Sequence, residues 1–102
     1  MTKDPQTAAT VKEILDLIKN ISPGKSVELR VPPYGAIQCV VGGNHRRGTP
    51  PNTVEMSGQT LIRLINQPAL WITLCESGEV RASGLLSDLS RVFTQAAVKY
   101  RA

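Results

Sequence analysis

The residues best suited to chemistry fall in one short stretch, Gly42-Gly43-Asn44-His45-Arg46-Arg47-Gly48-Thr49-Pro50-Pro51-Asn52. It holds the single histidine of the chain beside two adjacent arginines, and it is punctuated by glycines and a Pro-Pro pair. That composition excludes helix and buried strand and marks a loop. Paired guanidinium groups on a glycine-rich backbone suit an anion: a phosphate, a carboxylate or an acidic side chain. Two readings fit. Either His45, Arg46 and Arg47 hold the anionic group of a ligand, or the arginines brace carboxylates such as Glu28 and Glu55 at a solvated loop.

Patterns that would carry catalysis are missing. One histidine builds no zinc site without help, and Cys39 and Cys75 have no partner at ligand spacing, so no metal is expected. Glu28 and Glu55 have no neighbouring acid with which to divide acid and base roles. No Gly-x-Ser-x-Gly elbow occurs, and Gly42-Gly43 leads into a loop without the lysine-serine pair of a P-loop. His45, next to two cations, favours its neutral form and serves as a hydrogen-bonding group. The chain is expected to be non-enzymatic and to need no cofactor.

The totals narrow the partners. A length of 102 residues suits one domain, 1–102, with a modest core. An apolar fraction of 41% describes an ordered globular protein rather than a disordered tail. Twelve basic residues against eight acidic give a net charge of +4, but only Arg46 and Arg47 adjoin, and the rest are spread along the chain. The four aromatics, Tyr34, Trp71, Phe93 and Tyr100, are not interleaved with basic runs, which argues against nucleic acid. Two cysteines in apolar surroundings read as free thiols in a reducing cytoplasm. Neither a signal peptide nor a membrane-spanning run is visible.

These residues must be positioned by regular elements. Asp4-Pro5 reads as an N-cap followed by proline at the first helical position, with Thr10…Glu13 as a later capping box. Val11, Ile14, Leu15, Ile18 and Ile21 form the apolar stripe of that helix, which Ser22-Pro23-Gly24 ends. Strict alternation over residues 26–31 predicts a half-buried strand. A turn at Pro32-Pro33-Tyr34-Gly35 leads to a second, more buried strand over 36–41, closing a hairpin. After the arginine loop, residues 53–56 form a third strand. Ser57 caps a helix with Leu61, Ile62, Leu64 and Ile65, and Pro68 opens another that runs to Gly78. Residues 79–84 form a fourth strand, and a last helix is expected from about Leu85 through Leu89, Phe93 and Ala97. This order predicts an α+β domain: a mostly antiparallel sheet with helices packed on one face.

Two blocks carry a family resemblance. One is Arg30-Val31-Pro32-Pro33-Tyr34-Gly35-Ala36-Ile37-Gln38 continuing to His45-Arg46-Arg47-Gly48-Thr49-Pro50-Pro51-Asn52-Thr53-Val54-Glu55. The other is Trp71 with Gly78-Glu79-Val80-Arg81-Ala82-Ser83-Gly84-Leu85-Leu86-Ser87-Asp88-Leu89-Ser90. Together they resemble the small actinobacterial sterol-carrier-like proteins, a bacterial branch of the sterol carrier protein superfamily. The resemblance implies a sterol-carrier-like fold whose sheet and helices can enclose an apolar tunnel for a fatty acid, acyl thioester, sterol or phospholipid. On that reading Leu29, Ile37, Cys39, Val54, Leu64, Trp71, Leu74, Leu89 and Phe93 surround the ligand tail, and His45, Arg46 and Arg47 hold its head. Trp71 is the candidate for the cavity rim, because its indole N–H favours a wet boundary. The chain departs from the pattern at Leu85-Leu86 and Ser87, where relatives are often polar or carry alanine, and it shows no peroxisomal signal after Lys99-Tyr100-Arg101-Ala102. The competing reading is a ligand-free interaction module, a homodimer included, that keeps the fold around a filled core.

Overall fold

Asp4 starts the fold. In the computed structural model, which describes residues 4–42 and 52–101, its Oδ2 accepts the backbone N–H of Thr7 at 2.9 Å and the Thr7 hydroxyl at 2.7 Å. These bonds satisfy donors that the first helical turn leaves free, and they hold the Asp4 carboxyl below its ordinary pKa. Helix α1 then runs over Pro5–Ile21 and buries Val11, Ile14, Leu15 and Ile18. Thr10 is not a second cap; its hydroxyl donates back to the carbonyl of Gln6 inside the helix.

Strand β1 (Val27–Val31) buries every second residue, and β2 (Gly35–Cys39) returns antiparallel to it across a cis Pro32–Pro33 turn. β2 is not the more buried strand that its apolar run predicts. Gly35, Ala36 and Gln38 are exposed because β2 is an edge of the sheet. Nor does it extend to Val41. Val40 adopts φ +69°, a conformation β-branched residues avoid. Its N–H donates to Ser22 and its carbonyl accepts from the Ser26 N–H, at 2.9 and 3.1 Å.

Strand β3 (Asn52–Met56) lies on the other side of β1 and runs parallel to it, while β4 (Val80–Ser83) is antiparallel to β3. The order is β2-β1-β3-β4. The sheet is therefore mixed: two of its three pairings are antiparallel, and the central one is parallel. Cys39 and Asn52 both pair with Val27, so the chain between them joins the two neighbours of β1 at one end of the sheet.

Ser57 caps α2 (Gly58–Asn66) by accepting the Thr60 N–H. A 3₁₀ turn over Pro68–Leu70 leads into α3 (Trp71–Ser77), closed by Gly78 at φ +84°, where glycine carries no steric cost. The last helix, α4, spans Ser90–Arg101. It begins five residues later than the periodicity predicts. Gly84 at φ +108° and a turn that ties both the N–H and the hydroxyl of Ser87 to the Gly84 carbonyl take residues 84–87 out of the helix. Asp88 serves the true start, accepting the Ser90 N–H at 2.9 Å, which lowers its pKa.

One face of the sheet meets the helices. Val27, Leu29, Val31, Val54 and Met56 pack with Ile14, Ile18, Leu61, Leu64 and Phe93 in a single core. The other face is polar, with Arg30, Glu55 and Arg81 side by side across three strands.

Candidate functional site

His45, Arg46 and Arg47 lie outside the described residues. The carboxylates they were candidates to brace have other cations at hand. Arg30 Nε donates to Glu28 Oε1 at 2.6 Å, and Arg81 Nη2 donates to Glu55 Oε2. A depression of about 410 Å³ on the outer face of the sheet is lined by Arg30, Thr53, Glu55 and Arg81, but these pairings neutralise both arginines. It is a solvated, charge-balanced surface.

The apolar residues assigned to the ligand tail sit elsewhere than around an open space. Leu29, Cys39, Val54, Leu64, Leu89 and Phe93 have no solvent-accessible surface, and Leu74 and Trp71 retain only 1% and 5%. Ile37 is half-buried on the edge strand. A residue with no accessible surface touches no void that a water molecule can enter. These side chains are brought together, but as packed core. Trp71 lies against Phe93, ring centroids 5.9 Å apart and planes tilted by 31°, an arrangement in which offset aromatic rings attract. Burial pushes the Cys39 thiol up to about 11. The Cys75 thiol is also raised, first by burial and then by the carboxylates of Asp88 and Glu76.

Ligand-sized room occurs instead between the helices. A furrow of about 690 Å³ separates α1 from α4, lined by Leu17, Asn20 and Ile21 on one side and Gln95, Val98 and Lys99 on the other. It falls within the usual range for small-molecule sites, roughly 300–1,000 Å³. Sequence reasoning missed it because, Ile21 aside, its residues lie off the apolar stripes that periodicity selects. The available signal was Val98, an apolar residue beside the Phe93, Ala96, Ala97 face rather than on it, and 69% exposed in the fold. Among the described residues, no group of three or more histidine, cysteine, aspartate or glutamate side chains could hold a metal ion, and no helix is long and apolar enough to cross a membrane.

An α1 helix ahead of a four-stranded sheet, three helical segments between β3 and β4 and an apolar interior together match a known plan. Over residues 3–94 the sequence matches the family of bacterial sterol carrier protein (SCP) orthologs. The chain belongs to this family. It is also similar in fold to a solved structure described as a UbiJ-SCP2 ubiquinone synthesis protein, with a TM-score of 0.56 and 18% identity over 100% of this chain and 98% of the other. No curated protein matches the sequence. The resemblance drawn from the Arg-Gly-Thr-Pro-Pro-Asn and Ala-Ser-Gly blocks thus stands at the level of the bacterial SCP family.

Proposed function

We propose that the chain is a small lipid- or acyl-binding carrier that performs no chemistry of its own and works in the cytoplasm. The observation that carries this reading is membership of the bacterial SCP family over residues 3–94. An apolar-walled furrow of ligand size supports it, and so does the absence from the sequence of paired catalytic groups. A fatty acid, acyl thioester, sterol or phospholipid are the ligands to test. His45, Arg46 and Arg47 are candidates for the head group on their chemistry alone.

One observation favours a second reading. The core is closed, and side chains as large as Phe93 and Leu29 have no accessible surface. A filled interior suits an interaction module that keeps the fold without a ligand, and the two edge strands β2 and β4 offer a second copy a place to pair.

Native mass spectrometry of protein purified without detergent, followed by organic extraction, separates the two. A stoichiometric fatty acid, acyl thioester or phospholipid is the result expected of a carrier. An apo mass that also ignores an added panel of fatty acids, phospholipids and sterols would sink that reading. A dimeric apo mass would then favour the interaction module.

A further inference from the structure

The furrow between α1 and α4 has a direction and a charge. Leu17, Ile21 and Val98 give it an apolar lining, and Asn20 and Gln95 add polar but neutral groups. Among the described residues, the only charged side chain lining it is Lys99, and no carboxylate is among them, so Lys99 is the charged group they offer a ligand there. A second depression of about 390 Å³, lined by Ser22, Val40, Leu85, Leu86, Asp88, Ser90, Arg91 and Val92, also borders α4. Ser22 directly follows Ile21, and Arg91 and Val92 stand one helical turn before Gln95. From Arg91 to Lys99 the two depressions share one side of α4 for about 12 Å.

The fold leaves apolar residues along this path largely or partly exposed. Leu85 is fully exposed at 101%, Val98 is 69% exposed and Leu86 is 41% exposed. Leu85 is not on a frayed end, because the turn that carries it is tied down at Gly84, Leu86 and Ser87. Exposed apolar side chains on a tied-down turn and on the same side of α4 point to a binding site. Arg91 is the weaker of the two anchors for an anion, because Asp88 lines the same depression. No carboxylate is among the described residues that line the furrow with Lys99.

We propose that this furrow is the ligand site, and that it takes an extended acyl chain with an anionic head, the tail along Val98, Ile21 and Leu85–Leu86 and the head at Lys99. The assignment rests on the carrier reading above and names its site and ligand class. It places the lipid on the outer side of the helix layer, with the core remaining packed.

The test uses the full chain and three probes. Binding of cis-parinaric acid is followed by fluorescence, with a neutral monoacylglycerol as competitor. A diazirine-bearing palmitate is photo-crosslinked and mapped by peptide mass spectrometry. Val98→Asp and Lys99→Glu change exposed positions, and circular dichroism checks that both variants remain folded. The expected result is labelling within residues 17–22 and 85–99, with each variant weakening fatty-acid binding by about tenfold or more. The neutral competitor should be about tenfold the poorer ligand. Labelling of the strands, of α2 and α3, or of residues 43–51, with binding unchanged in Val98→Asp, overturns the furrow and leaves the carrier reading standing. Equal affinity for the neutral competitor overturns the role of Lys99. Failure of the native protein to bind either probe overturns the carrier reading and the furrow together.

Discussion

Asn52 accepts the backbone N–H of Leu86 through its side-chain oxygen at 2.9 Å, while its Nδ2 donates to the carbonyl of Ser26 at 2.8 Å. It is 4% exposed. One amide therefore joins the start of β3, the approach to β1 and the turn before α4. Gly84 completes the arrangement: a Cβ there would collide with the Asn52 side chain, at a φ of +108° that disfavours any other residue. Asn52 and Gly84, one from each of the two blocks that carry the family resemblance, thus meet in space, and what they build there is a clamp.

Removing the clamp should destabilise the fold. Asn52→Ala leaves the buried Ser26 carbonyl and the part-buried Leu86 N–H without partners, at about 1–3 kcal/mol for the first and less for the second. Denaturant unfolding should show a loss of that size, and a change below about 0.5 kcal/mol would mean that water replaces the amide. Asn52→Asp adds a sign test. The introduced carboxylate can still accept from Leu86 but opposes the Ser26 carbonyl, so the loss should be larger at pH 7 than near pH 4, where the protonated acid can donate. Gly84→Ala should be destabilising at every pH.

The same clamp explains what the sequence could and could not reveal. Helix α1 was legible because its cap, its proline and its stripe all lie within 21 residues of chain. The start of α4 was not, because Leu85, Leu86 and Leu89 have helical spacing, while the turn over residues 84–87 that displaces it is anchored by a distant residue, Asn52, at the Leu86 N–H. Alternation in β1 and β3 identifies both as strands with one buried face, yet it carries no information on direction, so the parallel pairing was hidden. Residues 36–41 read as a more buried strand, although β2 is an edge and Cys39 is its one buried residue. Periodicity also finds inward-facing residues without telling a packed interior from an open one. Leu29, Val54 and Phe93 were rightly gathered, and the room for a ligand lies elsewhere.

Trp71 measures how tightly that interior is filled. It is 5% exposed and packed near Phe93. Trp71→Ala should cost about 3–5 kcal/mol, the range for large aromatic truncations in a close-packed core. Chemical denaturation of the variant gives the number directly. A loss of about 1 kcal/mol would mean that Trp71 borders space already open, and the case for an internal tunnel would return.

The ion pairs on the outer face of the sheet should matter far less. Arg81 is 72% exposed beside Glu55, and Arg30 is 40% exposed beside Glu28. Exposed pairs contribute about 0–1 kcal/mol. Glu55→Gln and Arg81→Gln should each shift stability by less than about 1 kcal/mol, and the double variant should show little coupling. Raising salt should erase what remains. A coupling of 2 kcal/mol or more would show that this face is shielded from water by something bound to it.

The two thiols should separate by reactivity and by pH. Cys39 has no accessible surface and a pKa raised to about 11, so almost none of it is thiolate at pH 8. Cys75 is half-buried, its thiol raised as well but within reach of reagent. Ellman's reagent on the native protein should titrate Cys75 slowly and Cys39 only on unfolding. The same shift makes stability pH-dependent. The folded state binds the Cys39 proton more tightly than the unfolded chain, whose thiol titrates near 9, so its contribution is intact below pH 9 and is lost as pH rises towards 11. Full loss amounts to about 2–3 kcal/mol. Cys39→Ala removes this titration, and its unfolding free energy should lack that Cys39-dependent fall between pH 9 and pH 11. Rapid labelling of Cys39 in the native protein at pH 8 would show the core opening, and acceleration by added fatty acid would place the ligand inside it rather than between α1 and α4.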